Sequence, residues 1–442
     1  RSPFLKTPMI AIVLACCSTM TAQISDYLGP GILSRGAGDI GTRAGQDVDL
    51  RFFVSANGIY DTGLQPFSLN SNGQLATVGG LYGTEVNAGV YGVHKFRHGR
   101  LGLDYQGDYR HYSQQSFYDG TDNTLALGYT YQKSRRLIID TRQTAGSVSL
   151  GTPFGGTLPI ADSIVTPSSL LFDNRMSYLQ STLDVSYLLS ARTMLIFGGD
   201  GFGVWRKATG LIGMKGYTVH GAIQHRLTQR TTLGVNYQHS HYDFPKAFGE
   251  SDINLFTGTF ATQLGQFWTV NLSGGAYTAE VQGLQQVAVD PVITALLGVS
   301  TTQQTFYQKS IFPQWDANLS RRFHHAILSF AYRNGPSAGD GVYLTSRQDS
   351  GTASFSYTGI RKWSFSVHGG YYRLEGIGQN LQPFSQFTGG TGVTYALTHA
   401  IQMLANYDAR HQEIINGVYL QNSYRATIGI SFSPADVPLA FH

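Results

Sequence analysis

The 442-residue chain is poor in cysteine, in charge and in long apolar runs, and each shortage closes off a class of function. Its two cysteines, Cys16 and Cys17, both lie near the start in a segment with the layout of a cleaved signal peptide, so the mature chain is expected to have none and disulfide, thiolate-metal and thiol-nucleophile chemistries drop out. Charged residues make up 13% of the chain, about half the usual share. The net charge is +4, and no cluster of arginine and lysine alternates with stacking aromatics. That composition gives no support to nucleic-acid binding. The apolar run at the start, Met9 to Cys17, is too short to span a bilayer as a helix. Helical periodicity is also missing, except in "DPVITALLG" from Asp290 to Gly298, where Asp290 suits a cap and Pro291 a first helical position.

Arg1 and Lys6 precede the apolar run and small residues follow it, so residues 1–22 have the layout of a secretory signal peptide cleaved after Ala22. A competing reading takes "VLAC" as a lipoprotein cleavage box with Cys16 acylated. Residues 23–47 form a glycine-rich lead-in, and within it Gly36, Gly38 and Gly41 of "RGAGDIG" match the spacing of a dinucleotide-binding turn. That turn needs a buried strand before it and a helix after it. Gly29, Pro30 and Gly31 break the stretch upstream, and the stretch downstream has no helical period, so no cofactor is expected.

From Val48 a two-residue alternation takes over. Val48, Leu50, Phe52, Val54, Ala56, Gly58 and Tyr60 fall on one face, and Asp49, Arg51, Ser55 and Asn57 on the other. The pattern recurs in segments near 48–60, 82–97, 100–111, 124–132, 137–145, 178–189, 193–205, 217–227, 231–242, 253–263, 267–277, 311–319, 325–333, 350–357, 363–373, 387–397, 400–410 and 419–432. Such segments run for about ten residues, against about five or six in a soluble strand, and length with alternation is the signature of a transmembrane strand. Short turns such as "QKSRR", "TQR" and "TGIRK" alternate with long connections such as 146–177 and 278–310. The fold class read from this is all-β: a single closed antiparallel transmembrane β-barrel of about 18 strands, an even number, as such barrels require. Reversing the faces would turn the wall charges to lipid at roughly 2 to 4 kcal/mol for each Arg or Lys near the midplane, which fixes the sidedness. Only strand 253–263, apolar on both faces, stays ambiguous. A soluble sandwich or propeller would use shorter strands. Trp205, Trp268, Trp315 and Trp363 lie near strand ends, where interfacial girdles sit.

These long alternating segments with their short and long connections resemble the porin-like outer-membrane β-barrels of Gram-negative bacteria. The resemblance implies an outer-membrane location, short periplasmic turns, long extracellular loops, a barrel over residues 48–433 and a periplasmic tail over 434–442. Thr427, Gly429 and Phe432 match the closing strand of such barrels, while Pro434 stands where a second aromatic is expected.

The candidate pore-lining residues are the charges on the polar faces: Asp49, Arg51, Glu85, Lys95, Asp104, Asp108, Arg110, Asp140, Arg142, Asp184, Asp200, Asp408, Arg410 and Arg425. Four Asp–Arg couples are two apart on one face, and their simplest role is as wall ion pairs. Middle strands offer neutral polar groups instead, including His220, Gln224, Asn236, Gln238, Asn271 and His368, with Asp316 and Arg333 as exceptions. Barrel closure would therefore set a charged side of the lumen against a neutral one, with acids and bases nearly balanced. His239 and His241 of "HSHYD" have the spacing of two metal ligands on a strand, but no third ligand is marked nearby except Asp243, and rim histidines are the simpler reading. No nucleophile motif marks a catalytic centre. The loop from Gly146 to Ser177, with Pro153, Pro159, Pro167 and apolar residues 169–172, is expected to fold inward or cap the mouth and so narrow the channel.

The function read from the sequence is passive diffusion of small hydrophilic solutes through the outer membrane, with weak ion selectivity and no cofactor, metal or enzymatic step. The alternative is a polymer-export outlet or a scaffold that holds a periplasmic partner through residues 23–47; a homo-oligomer is left open.

Overall fold

The computed structural model describes residues 48–64, 68–69, 75–76, 79–113, 116–149, 175–208, 210–288, 301–339, 341–378, 381–398, 400–414 and 419–433. The expected signal peptide, lead-in and tail, with the glycine motif, lie outside them, as do most of the loop 146–177 and the helical stretch 290–298.

Eighteen long strands form one sheet: β1 (Val48–Asp61), β2 (Leu81–Lys95), β3 (Gly99–Tyr112), β4 (Gly120–Gln132), β5 (Leu137–Val148), β6 (Met176–Leu188), β7 (Thr193–Arg206), β8 (Met214–Arg226) and β9 (Thr231–Phe244), then β10 (Gly249–Leu264), β11 (Trp268–Ala288), β12 (Thr301–Arg322), β13 (Ala326–Ser337), β14 (Ser346–Tyr357), β15 (Trp363–Gly376), β16 (Phe384–Ala396), β17 (Ile401–Ile414) and β18 (Tyr419–Phe432). Each strand pairs antiparallel with its neighbours in sequence, and β18 pairs with β1, so the sheet closes on itself. Strand lengths run from 12 to 22 residues. Closure gives every strand two neighbours, so the backbone of the spanning ladder bonds within the sheet, which is what hydrocarbon demands of a spanning chain.

The alternation sets the two surfaces. Val54, Val86, Leu183, Phe197, Ile223, Val235, Phe256, Val367 and Ile428 stand exposed on the outer face, although all are large and apolar. In a soluble protein such a belt would be an aggregation surface; round a closed barrel it is the lipid contact. Trp205, Trp315 and Trp363 share that face, and aromatic pairs such as Tyr60 with Tyr82 (ring centroids 5.0 Å apart) and Trp363 with Tyr395 (4.7 Å) lie among them.

One rim is made of tight turns. Four of them use the same device: the hydroxyls of Ser134, Ser190, Thr228 and Thr398 each accept hydrogen bonds from the N–H groups two and three residues on. This is the local competition with ladder bonding that makes Ser and Thr good turn residues.

The opposite rim departs from expectation in two ways. Residues 278–310 were expected as a long loop, but β11 runs on to Ala288 and β12 begins at Thr301. Their alternation continues with its polarity reversed: Tyr277, Ala279 and Val281 are buried inside while Thr278, Glu280 and Gln282 face out. The outer face there carries charges, among them the ion pair of Lys309 with Glu280, as suits strand ends beyond the apolar belt. The link between β9 and β10 is also short, with a 3-10 turn at Pro245–Ala247 and Phe248 in the left-handed region at φ 46°.

Candidate functional site

The lumen is the candidate site. Toward the short-turn rim its wall is built of small polar side chains: Thr232 and Asn236 on β9, Thr257 and Thr259 on β10, Asn271 and Ser273 on β11, with Ser329, Ser354 and Ser366 on β13 to β15. On the side formed by β3 to β8 the same zone carries charge. Asp104 and Arg142 are exposed, and Asp140, Asp184 and Asp200 are half-buried; Arg51, on β1, is half-buried as well. Asp140 stands directly opposite Asp184 in the ladder, and Asp316 opposite Arg333.

Toward the loop rim the lumen is filled from two sides. One filling is apolar. The connection 338–345 between β13 and β14 folds into the barrel, and nearly all of its described residues are buried. Gly341 sits at φ 93° against the Arg206 side chain of β7, where a Cβ would collide with the guanidinium stem. The carbonyl of Gly341 accepts from Ile212 N–H at 2.8 Å, and that of Thr345 from Ile377 N–H at 2.8 Å. The Tyr343 hydroxyl donates to the Gln382 carbonyl. Leu344, fully buried, lies where a Cβ on Gly249 or Gly283 would come within 3.1 or 2.7 Å of it. Both glycines are inward positions of β10 and β11, so the connection reaches across the bore to the wall formed by β7 to β11. Around it pack Phe202, Val204, Tyr242, Phe244, Ile253, Leu255, Tyr277, Ala279 and Val281. Ile253 and Leu255 belong to this lumen cluster and Phe256 to the lipid face, which resolves the ambiguous strand.

The second filling is ionic and straddles the closure. Arg425 of β18 reaches Glu85 of β2 at 2.7 Å and Asp61 of β1 at 3.5 Å. Arg110 of β3 contacts Asp108 at 3.1 Å, Glu85 at 3.8 Å and Asp122 of β4. The Ser149 hydroxyl accepts from Arg110 at 2.8 Å, and Asn87 donates to Glu85 at 2.9 Å. Arg110 and Arg425 are 0% and 1% exposed, so these guanidinium groups are structural partners within a buried network.

The expected pore-lining residues thus divide. Glu85, Arg110, Arg410 and Arg425 are buried, with Arg410 donating to Ser423 at 3.4 Å. Asp108 and Asp408 are half-buried, Asp104 and Arg142 exposed. The side chains of Asp49 and Lys95 lie outside the described residues. His220 meets Asp184 at 3.0 Å and His368 meets Asp408 at 3.4 Å, pairings that no single segment of sequence reveals. His239 and His241 face outward, with His241 2.8 Å from Asp252 and His239 3.0 Å from Asn254. Among the described residues no three metal-ligating side chains converge.

Sequence reasoning missed the connection 338–345. Its signal was present in "GDGVYLT", where three consecutive large apolar or aromatic residues occupy a stretch too short to be a strand.

No family model matches the chain, and no curated protein does. Among solved structures, OccK2 (OpdF) of Pseudomonas aeruginosa is similar at 10% identity, covering 88% of this chain and 98% of that one with a TM-score of 0.44. A BenF-like porin from Pseudomonas fluorescens Pf-5 is 9% identical, covering 89% and 99%, with a TM-score of 0.43. Acinetobacter baumannii OccAB4 is 12% identical, covering 88% and 98%, with a TM-score of 0.41. The architecture of the chain itself, an even-stranded closed antiparallel barrel with an apolar outer belt and a polar inner wall, is that of an outer-membrane-type β-barrel.

Proposed function

We propose that the chain is an outer-membrane channel through which small hydrophilic solutes diffuse passively, with its short-turn rim toward the periplasm. The observation that carries this is the inner wall below the fillings: Ser, Thr and Asn side chains with exposed Asp104 and Arg142, a surface suited to water and to nothing apolar. The connection 338–345 narrows the way in. Acids and bases on the wall are nearly balanced, and the fields of exposed charges are screened over about 8 Å at physiological salt. Weak ion selectivity follows. Purified protein in planar bilayers should conduct, passing sugars and small ions alike. A strong preference for ions of one sign at neutral pH would contradict the balance.

The filled loop-rim end favours one other reading, an export outlet or scaffold that opens only with a periplasmic partner on residues 23–47. Absence of conductance from the protein alone, restored by a partner, would select it.

A further inference from the structure

The tripeptide Val-His-Gly occurs at 219–221 and again at 367–369. Register gives the two histidines the same surroundings. In one ladder row Asp184 of β6 stands opposite Gly198 of β7, and Gly198 opposite His220 of β8. In another, His368 of β15 stands opposite Gly390 of β16, and Gly390 opposite Asp408 of β17.

In both rows the glycine is what lets the outer two side chains meet. A Cβ on Gly198 would overlap the Asp184 carboxylate and lie 2.8 Å from the His220 ring. One on Gly390 would overlap Asp408 and lie 2.9 Å from His368 Nε2. Neither glycine has positive φ, so backbone conformation does not demand it. The side chains lean over the middle strand and close to 3.0 and 3.4 Å.

The rows also face each other. β7 and β16 are nine steps apart in a ring of eighteen strands, which is half the circumference. Gly198 is five residues from the short-turn end of β7 and Gly390 six from that of β16, so the rows stand at closely matching heights. A solute crossing this level passes between two carboxylate–imidazole pairs.

We propose that these two Asp–Gly–His rows form the charge-selecting level of the channel, each pair carrying one net negative charge while its imidazole is neutral and none once it is protonated. The proposal rests on the channel reading above. Protonating both histidines changes the charge of this level by two, and a solute in the bore meets that change from both sides. Asp184 and Asp200 face His220, with Gln238 beside it on β9 and Asp140 and Arg142 beyond Asp184 on β5. Asp408 faces His368, with Ser354 beside it on β14 and Arg410 and Arg425 beyond. Arg425 is already held by Glu85 and Asp61, so at this level Arg142 and Arg410 offset only part of the carboxylate charge at neutral pH, and the effect of the histidines appears as a shift on acidification.

The test is the reversal potential of the purified channel across a potassium chloride gradient at about pH 8 and about pH 5, the span over which histidine changes charge. Acidification should move the permeability ratio toward chloride. The double variant His220→Gln with His368→Gln should lose most of that shift while still conducting. Gly198→Ala with Gly390→Ala keeps every titratable group but separates the pairs, and it should alter the pH at which the shift occurs. A shift that survives in the histidine variant, or none in the unaltered protein, overturns the proposal and leaves the channel reading intact. A protein that does not conduct at either pH overturns both.

Discussion

Arg425 and Glu85, 340 residues apart in the chain, meet at 2.7 Å inside the barrel. The contact bridges β18 to β2 over β1, with Asp61 of β1 held by the same guanidinium. Removing one member of a buried pair leaves an uncompensated charge and costs about 3 to 5 kcal/mol. Arg425→Ala should therefore lower the unfolding free energy of the barrel by an amount in that range, read as a lower urea midpoint at unchanged slope by tryptophan fluorescence. Arg425→Lys should recover part of it, since an ammonium keeps the charge but not the two-armed geometry. An unchanged midpoint in Arg425→Ala would show that the cluster is not holding the closure.

The inward connection is expected to limit conduction. Replacing residues 339–344 with a short glycine linker should raise single-channel conductance and leave the barrel's thermal unfolding nearly unaltered. Deleting residues 152–172 from the loop 146–177 makes a separate comparison. Conductance that rises only in the second variant would move the constriction to that loop.

Leu344 is fully buried within the lumen, between inward glycines of β10 and β11. Leu344→Ala should cost the packing of the connection about 2 to 5 kcal/mol, the usual range for a large-to-small change at a closed site. Since the ladders do not depend on this side chain, the loss should appear as faster proteolysis or hydrogen exchange of residues 338–345. Barrel amides should exchange as before. Cooperative loss of protection across β10 and β11 would show that the cluster supports the wall itself.

Asp119 lies in the connection after β3, beyond the membrane-spanning ladder. The Tyr112 N–H donates to its carboxylate at 2.8 Å, and His111 Nδ1 lies 2.7 Å away. The backbone hydrogen bond, helped by His111, holds the carboxyl below its ordinary range. A lowered carboxylate stabilises this connection above about pH 3.9, the ordinary aspartate value, and the contribution fades as pH falls through the lowered value. The Tyr112 amide resonance should titrate with a midpoint below about 3.9. In Asp119→Asn it should stay flat. A midpoint at the ordinary value would mean that the contact is not formed in solution.

The wall was legible because alternation is a local signal: Leu101, Leu103 and Tyr105 against Asp104 and Gln106 declare a face without knowledge of any neighbour. The fillings were not. Tyr277, Ala279 and Val281 are apolar on the inner side, and the polarity rule that served below the rim reverses there because loop atoms replace water in the bore. Glu85, Arg110 and Arg425 looked like solvated wall charges, since nothing in their own segments shows what covers them. The Asp–Gly–His rows depend on ladder register over three strands, and register is a property of the closed sheet.

The ladder that closes the barrel is short. β1 pairs with β18 through eight residues, Val54↔Phe432 to Asp61↔Arg425, but with β2 through fourteen, Val48↔His94 to Asp61↔Leu81. Its partners are the farthest apart in sequence, so this is the costliest contact to find and the natural last step of assembly. A slip of one residue at that step would turn Arg425 toward lipid and strand Asp61 and Glu85 inside without a cation. The ion cluster therefore acts as a proofreader: of the registers the last strand can try, it rewards the one that brings the arginine home.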